Sequence, residues 1–170
     1  MKKKYKAAVI GCGKMGAEEW NFSKELYPET HAASYKNHPR TDLSALVDID
    51  QKKLENAGKY FPEVALFNSA KEMLEKIKPD IVSIAATSDS HASLVELAAE
   101  YKVPAILCEK PIAESIKQAE KMIEICKKNN SLLFINHQRR FDPLLQKWQV
   151  KIKNGLIGKV IQANCYYYNG

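Results

Sequence analysis

Nowhere in this chain does an apolar run approach the length needed to cross a bilayer. The start comes nearest to a targeting segment, because Lys2, Lys3 and Lys4 precede Ala7-Ala8-Val9-Ile10-Gly11-Cys12. That apolar stretch is too short for the core of a signal peptide, and glycine interrupts it at once. The expectation is a soluble, cytoplasmic protein with no membrane partner. Cysteine is scarce as well. Cys12, Cys108, Cys126 and Cys165 show no C-x-x-C spacing and no histidine at zinc-site distance. A disulfide framework and a structural zinc are therefore not expected; the thiols read as reduced and mostly buried, and no metal is implied. Internal repeats and low-complexity linkers are also lacking. What is present is ordinary globular composition, 45% hydrophobic and 27% charged over 170 residues. The net charge of +6 gathers at Lys2, Lys3, Lys4 and Lys6 and again at Lys147, Lys151, Lys153 and Lys159. Neither group has the one-sided basic face with interleaved aromatics that nucleic acid requires, so both read as solvated surface and no nucleic-acid partner is expected.

Short apolar runs alternate with helical patterns. Ala7 to Ile10, Leu43 to Val47, Ile81 to Ala86, Ala105 to Cys108 and Leu132 to Ile135 suit strands buried on both faces of a parallel sheet, with Val64 to Phe67 a weaker candidate near an edge. Ser69 with Glu72 forms a capping box before Met73, Leu74 and Ile77, and Pro79 stops that helix. Ser115 with Gln118 opens another, with Ile116, Ala119, Met122, Ile123 and Cys126 on one side. A further helix follows His91, its apolar side Leu94, Val95, Leu97, Ala98 and Tyr101. This alternation predicts an α/β, doubly wound, mostly parallel sheet. A helix from about Pro143 ends at Asn154-Gly155, and Gly158 to Tyr168 then reads as a long strand, the first of a second, α+β domain. The expected boundaries are a first domain over 1–155 and the opening of a second over 156–170.

Gly11-Cys12-Gly13-Lys14-Met15-Gly16 is a complete G-x-G-x-x-G directly after the first strand. Gly11 permits the tight turn, Gly13 lets main chain approach a pyrophosphate, and Gly16 allows close helix-to-strand packing. The amides from Gly13 through Lys14 and Met15 to Gly16 then sit at a helix N-terminus, where free N–H groups and the dipole favour negative charge. The second strand ends at Asp48, whose carboxylate suits the ribose hydroxyls of NAD and repels a 2′-phosphate; Lys52 and Lys53 leave NADP open. Asp50 is read as a helix N-cap. From Gly16 to Asp48 the interval exceeds the usual spacing of about 20 residues, and Ala17 to Thr30 looks like inserted material. It reads either as a cover for the cofactor or substrate pocket or as a plain surface excursion.

Three further motifs follow later strands: Ala86-Thr87-Ser88-Asp89-Ser90-His91, Cys108-Glu109-Lys110-Pro111, and Asn136-His137-Gln138-Arg139-Arg140-Phe141-Asp142-Pro143. With the glycine loop they resemble the glucose–fructose oxidoreductase / inositol dehydrogenase family over essentially the whole chain, Glu-Lys-Pro being the most specific element. The resemblance implies an NAD- or NADP-dependent oxidoreductase acting on sugars, cyclitols and related compounds, with a Rossmann domain followed by a substrate domain, and homo-oligomeric when complete. It implies that Thr87 and Ser88 lie along the cofactor with His91 near it, that Glu109 and Lys110 sit by the nicotinamide and its ribose, and that Asn136 and Arg140 approach cofactor or substrate. Lys110 is the implied catalytic residue. A cation beside the reacting carbinol stabilises developing alkoxide and can join a proton relay. His31, opening His-Ala-Ala-Ser-Tyr, resembles the family's first helix resumed after the insertion, and its reading is packing. His137 and Arg139 read as surface or structural.

One departure limits the carry-over. Family members usually place an aspartate and a histidine, spaced D-x-x-x-H, in the second domain, yet no Asp, Glu or His occurs after Asp142. The stretch is therefore expected to bind dinucleotide without turning over substrate alone. A non-catalytic dinucleotide-binding module remains an open alternative.

Overall fold

The computed structural model describes residues 3–18 and 30–166. The chain divides into two compact units, Met1–Asn136 and His137–Gly170.

In the first unit, six strands form one parallel sheet: β1 (Tyr5–Ile10), β2 (Thr41–Val47), β3 (Ala65–Phe67), β4 (Ile81–Ile84), β5 (Ala105–Glu109) and β6 (Leu132–Asn136). Their order is β3-β2-β1-β4-β5-β6, so the sheet reverses its winding between β1 and β4 and opens a crevice at the carboxyl ends of those strands. The central strands carry aliphatic residues on both faces because both faces are covered, as the short apolar runs require. The weak run ending at Phe67 is an edge strand, as expected.

Helices α1 (His31–Asn37), α2 (Gln51–Tyr60), α3 (Ala70–Ile77), α4 (His91–Glu100) and α5 (Ile116–Lys128) connect the strands. Their starts are set by side chains that satisfy otherwise orphaned amides. Ser69 Oγ accepts from the Glu72 N–H and Ser115 Oγ from the Gln118 N–H, both at 3.3 Å. Asp50 caps α2 by accepting from Lys52 and Lys53 at 2.9 and 3.3 Å. Lys78, left-handed at φ 48°, ends α3 immediately before Pro79.

Two apolar layers sandwich the sheet. One joins Ala8, Ile10, Val82, Ile84, Ile106 and Cys108 to Met73, Leu74, Val95, Ala98, Met122 and Cys126. The other joins Val9, Leu43 and Leu46 to Cys12, Ala17, Ala32, Leu54 and Ala57. Met122 and Cys126 anchor α5 as expected, but Ile116 and Ile123 are exposed. Ile116 stands at the helix start, where the apolar stripe has not yet turned onto the core.

In the second unit a 3-10 turn (Gln138–Phe141) leads into α6 (Pro143–Lys153), capped by Asp142, which accepts from the Leu144 and Leu145 amides. Asn154 terminates it. The long strand expected over Gly158 to Tyr168 does not form across its described part, 158–166, which is exposed and without regular structure. The physical reason is pairing: a strand is defined by its ladder, and the described residues of the second unit offer no other strand. Tyr167 and Tyr168 lie outside the described residues. No helix among the described residues is long and apolar enough to cross a membrane.

Candidate functional site

The glycine loop leaves β1 at the sheet's switch point. Gly11 takes φ +97° and donates its N–H to the Val47 carbonyl at 2.7 Å. A Cβ on Gly11 would meet the Ala85 main chain at 2.6 Å, and one on Gly16 would fall 1.7 Å from the Gly11 carbonyl oxygen. Sterics therefore impose both glycines. Gly13 differs, since a Cβ there would meet nothing within 4 Å. The loop is open to solvent at that point, and the N–H groups of Gly13 and Met15 find no acceptor among the described residues. Main chain with open space beside it and amides left without an acceptor, at the start of a helical turn, is of the right chemistry for a diphosphate.

That turn is one piece of a divided helix. The Gly13 carbonyl accepts from Gly16 and Ala17 at 2.9 and 3.1 Å. The Met15 and Gly16 carbonyls then accept from His31 and Ala32 at 3.0 and 2.9 Å. In an unbroken helix each carbonyl is served by the fourth residue onward. Here α1 supplies those donors, so the helix resumes in register after the inserted stretch. The expected insertion, Ala17 to Thr30, thereby narrows at both ends. Ala17 is buried in the core, and the Thr30 hydroxyl caps α1 by accepting from the Ala33 N–H at 3.2 Å. Residues 19–29 lie outside the described residues.

Asp48 stands just beyond β2, beside the loop. Its Oδ2 accepts from the Cys12 N–H at 2.7 Å and its Oδ1 from the Asp50 N–H at 2.8 Å. Each oxygen keeps lone pairs for an outside donor, so the carboxylate both ties the loop to β2 and suits a diol. Burial, with help from the Asp48 charge, pushes the neighbouring Cys12 thiol up to about 12, which leaves it unreactive at neutral pH.

The other expected residues lie at the ends of β4, β5 and β6. Thr87 is exposed and Ser88 half-buried, in the loop after β4. His91 is fully buried, with Nδ1 2.8 Å from the Pro111 carbonyl and Nε2 3.1 Å from that of Ala86. Its ring is thus occupied in bridging the loops after β4 and β5. Glu109 is only 6% exposed, and its carboxylate is also engaged within the protein. Oε1 accepts from Asn136 Nδ2 at 2.5 Å and faces His31 Nε2 at 2.9 Å, while Oε2 accepts from the Lys110 N–H at 3.3 Å. Burial alone would raise this carboxyl, but the bonds from His31 and Asn136 outweigh it and hold it below its ordinary 4.5. Lys110 is exposed at the rim, and the Lys110–Pro111 peptide is cis. Arg140 belongs to the second unit, where its carbonyl accepts from Gln146 Nε2 at 3.1 Å. Among the described residues no cluster of His, Cys, Asp or Glu could hold a metal ion.

His31, read as packing, is buried as that reading expects, and its ring also faces a glutamate 78 positions along the chain, a partner that sequence reasoning missed. The only available signal was a histidine beginning an otherwise small and apolar helix start.

A family model described as "Oxidoreductase family, NAD-binding Rossmann fold" matches residues 5–137. D-apiose dehydrogenase from Paraburkholderia graminis is 33% identical over 156 residues, covering 92% of this chain and 38% of that protein. The crystal structure of an oxidoreductase from Agrobacterium radiobacter, in complex with NAD+, L-tartaric acid and magnesium, is 29% identical with a TM-score of 0.76. It covers 92% of this chain and 42% of that one. Myo-inositol 2-dehydrogenase from Lactobacillus plantarum gives 25% identity and a TM-score of 0.79 over 94% of this chain and 44% of its own. This chain thus spans less than half the length of each of these relatives.

Proposed function

The chain belongs to the glucose–fructose oxidoreductase / inositol dehydrogenase (Gfo/Idh/MocA) family, and on that premise we propose that it binds NAD along the crevice from Gly13 to Lys110 as the cofactor-binding part of a sugar or cyclitol dehydrogenase. The observation that carries this reading is the open main chain at Gly13, its N–H without an acceptor among the described residues, beside a carboxylate held by Cys12 and Asp50. The Gly13 and Met15 amides take the pyrophosphate and Asp48 the adenosine ribose. Thr87 and Ser88 line the middle. For Arg140 the assignment to cofactor or substrate rests on the family resemblance alone.

When bound, NAD supplies the centre that accepts or returns hydride. The protein's part is to orient that centre and to manage charge and protons. Lys110 presents an ammonium group at the rim, suited to stabilise an alkoxide as it forms. His91 bridges the loops after β4 and β5, and Asn136 holds the carboxylate of Glu109, beside Lys110 in sequence. The substrate proton needs a partner group, and residues 143–170 contain no Asp, Glu or His. This stretch accordingly binds cofactor without turnover alone, and residues 156–170 are assigned to the opening of the substrate domain.

Calorimetric titration of the chain with NAD and NADP tests the reading. Saturable NAD binding is expected, with NADP weaker. Asp48→Asn, which keeps the shape and removes the charge, is expected to weaken NAD about tenfold and NADP less. A folded protein that takes up neither nucleotide, or equal losses for the two, would defeat the assignment.

A further inference from the structure

Three elements far apart in sequence meet on one carboxylate at the end of β5. His31 arrives from α1, the helix resumed after the inserted stretch, and Asn136 from the end of β6; both reach Oε1 of Glu109. Oε2 takes the main-chain N–H of Lys110. His31 and Glu109 are nearly sealed from solvent, at 8% and 6% exposure. A carboxylate so deeply placed is costly unless partnered, and partners that hold it also fix the backbone bearing it. His31 reaches the end of β5 from the same helical ladder that begins at Gly13.

We propose that His31 is a positioning residue for the nicotinamide end of the crevice. By holding Glu109 and, through it, Asn136 and the Lys110 main chain, it joins the diphosphate-binding turn to the end where hydride transfer takes place. The inference rests on the dinucleotide reading given above. Its effect passes through Glu109.

ADP, which contains the diphosphate and the adenosine ribose but neither the nicotinamide nor its ribose, separates this role from general support of the fold. Calorimetry on the chain with NAD and with ADP, for wild type, His31→Leu and His31→Gln, is the test. His31→Leu is expected to weaken NAD about tenfold, as fits the loss of one hydrogen bond to a charged group. ADP affinity should stay within about twofold. His31→Gln, which restores a neutral donor, should recover most of the NAD loss. Equal weakening of both ligands by His31→Leu overturns the proposal, as does unchanged NAD affinity or a glutamine that recovers nothing. Should His31→Leu fail to fold, His31→Leu/Glu109→Gln removes the unpartnered charge and is expected to show the same selective loss. Failure of that double variant to fold also overturns the proposal, because the pair would then serve the fold and not the site. A wild type that binds neither ligand would instead bring down the dinucleotide reading itself.

Discussion

A methyl group added at Gly13 would point into open space, whereas at Gly16 it would fall 1.7 Å from the Gly11 carbonyl oxygen. The two glycines therefore separate binding from folding. Gly13→Ala is expected to leave stability within about 0.5 kcal/mol of wild type while weakening NAD about tenfold or more. Gly16→Ala must displace the loop and should lower both the melting temperature and NAD affinity. Thermal melting beside calorimetry checks the pair, and a Gly13→Ala variant that binds NAD normally would mean the ligand never approaches that main chain. These glycines and Asp48 were legible in the sequence because their meaning lies in local spacing after a strand. The engagement of His91 and Glu109 was not. Their partners, Ala86 and Pro111 for one and His31 and Asn136 for the other, are brought together only by folding. Motif resemblance named these residues without saying that they face inward.

Among the elements, caps and strands were read most faithfully, since Ser69, Ser115 and Asp50 act on amides two or three residues away. The strand expected at 158–168 does not form over its described part, 158–166, for the opposite reason: the run carries β-propensity, but propensity does not supply a ladder partner. The divided helix was half legible. The long interval to Asp48 signalled an insertion, but not that the two helical pieces share one ladder. A variant lacking residues 19–30, which joins Glu18 directly to His31, is therefore expected to form one continuous helix. It should melt at or above the wild-type temperature, because a shorter connection costs less closure entropy, on the order of 0.6 kcal/mol per halving. A drop of more than a few degrees would show that the removed stretch contributes to the fold.

At the scale of the whole molecule, the buried Glu109 carboxylate ties stability to pH. Its folded pKa lies below its ordinary 4.5, so the ionised form is favoured by folding. Its contribution is complete above that ordinary value and is lost as pH falls through the lowered one. Glu109→Gln should make the acid limb of a stability-against-pH curve shallower than that of wild type, measured by denaturant unfolding at stepped pH; superimposable limbs would show that another group governs acid unfolding. The sheet order, foreseen as doubly wound, places the glycine loop, Asp48 and Lys110 at the carboxyl ends of their strands. The split between Glu18 and Thr30 has a practical corollary. A helix whose two halves keep a common ladder across a gap is a natural splice point for foreign polypeptide. A fluorescent reporter grafted there would have one root two residues past Gly16 and the other next to His31, which sets a probe beside both without labelling the crevice.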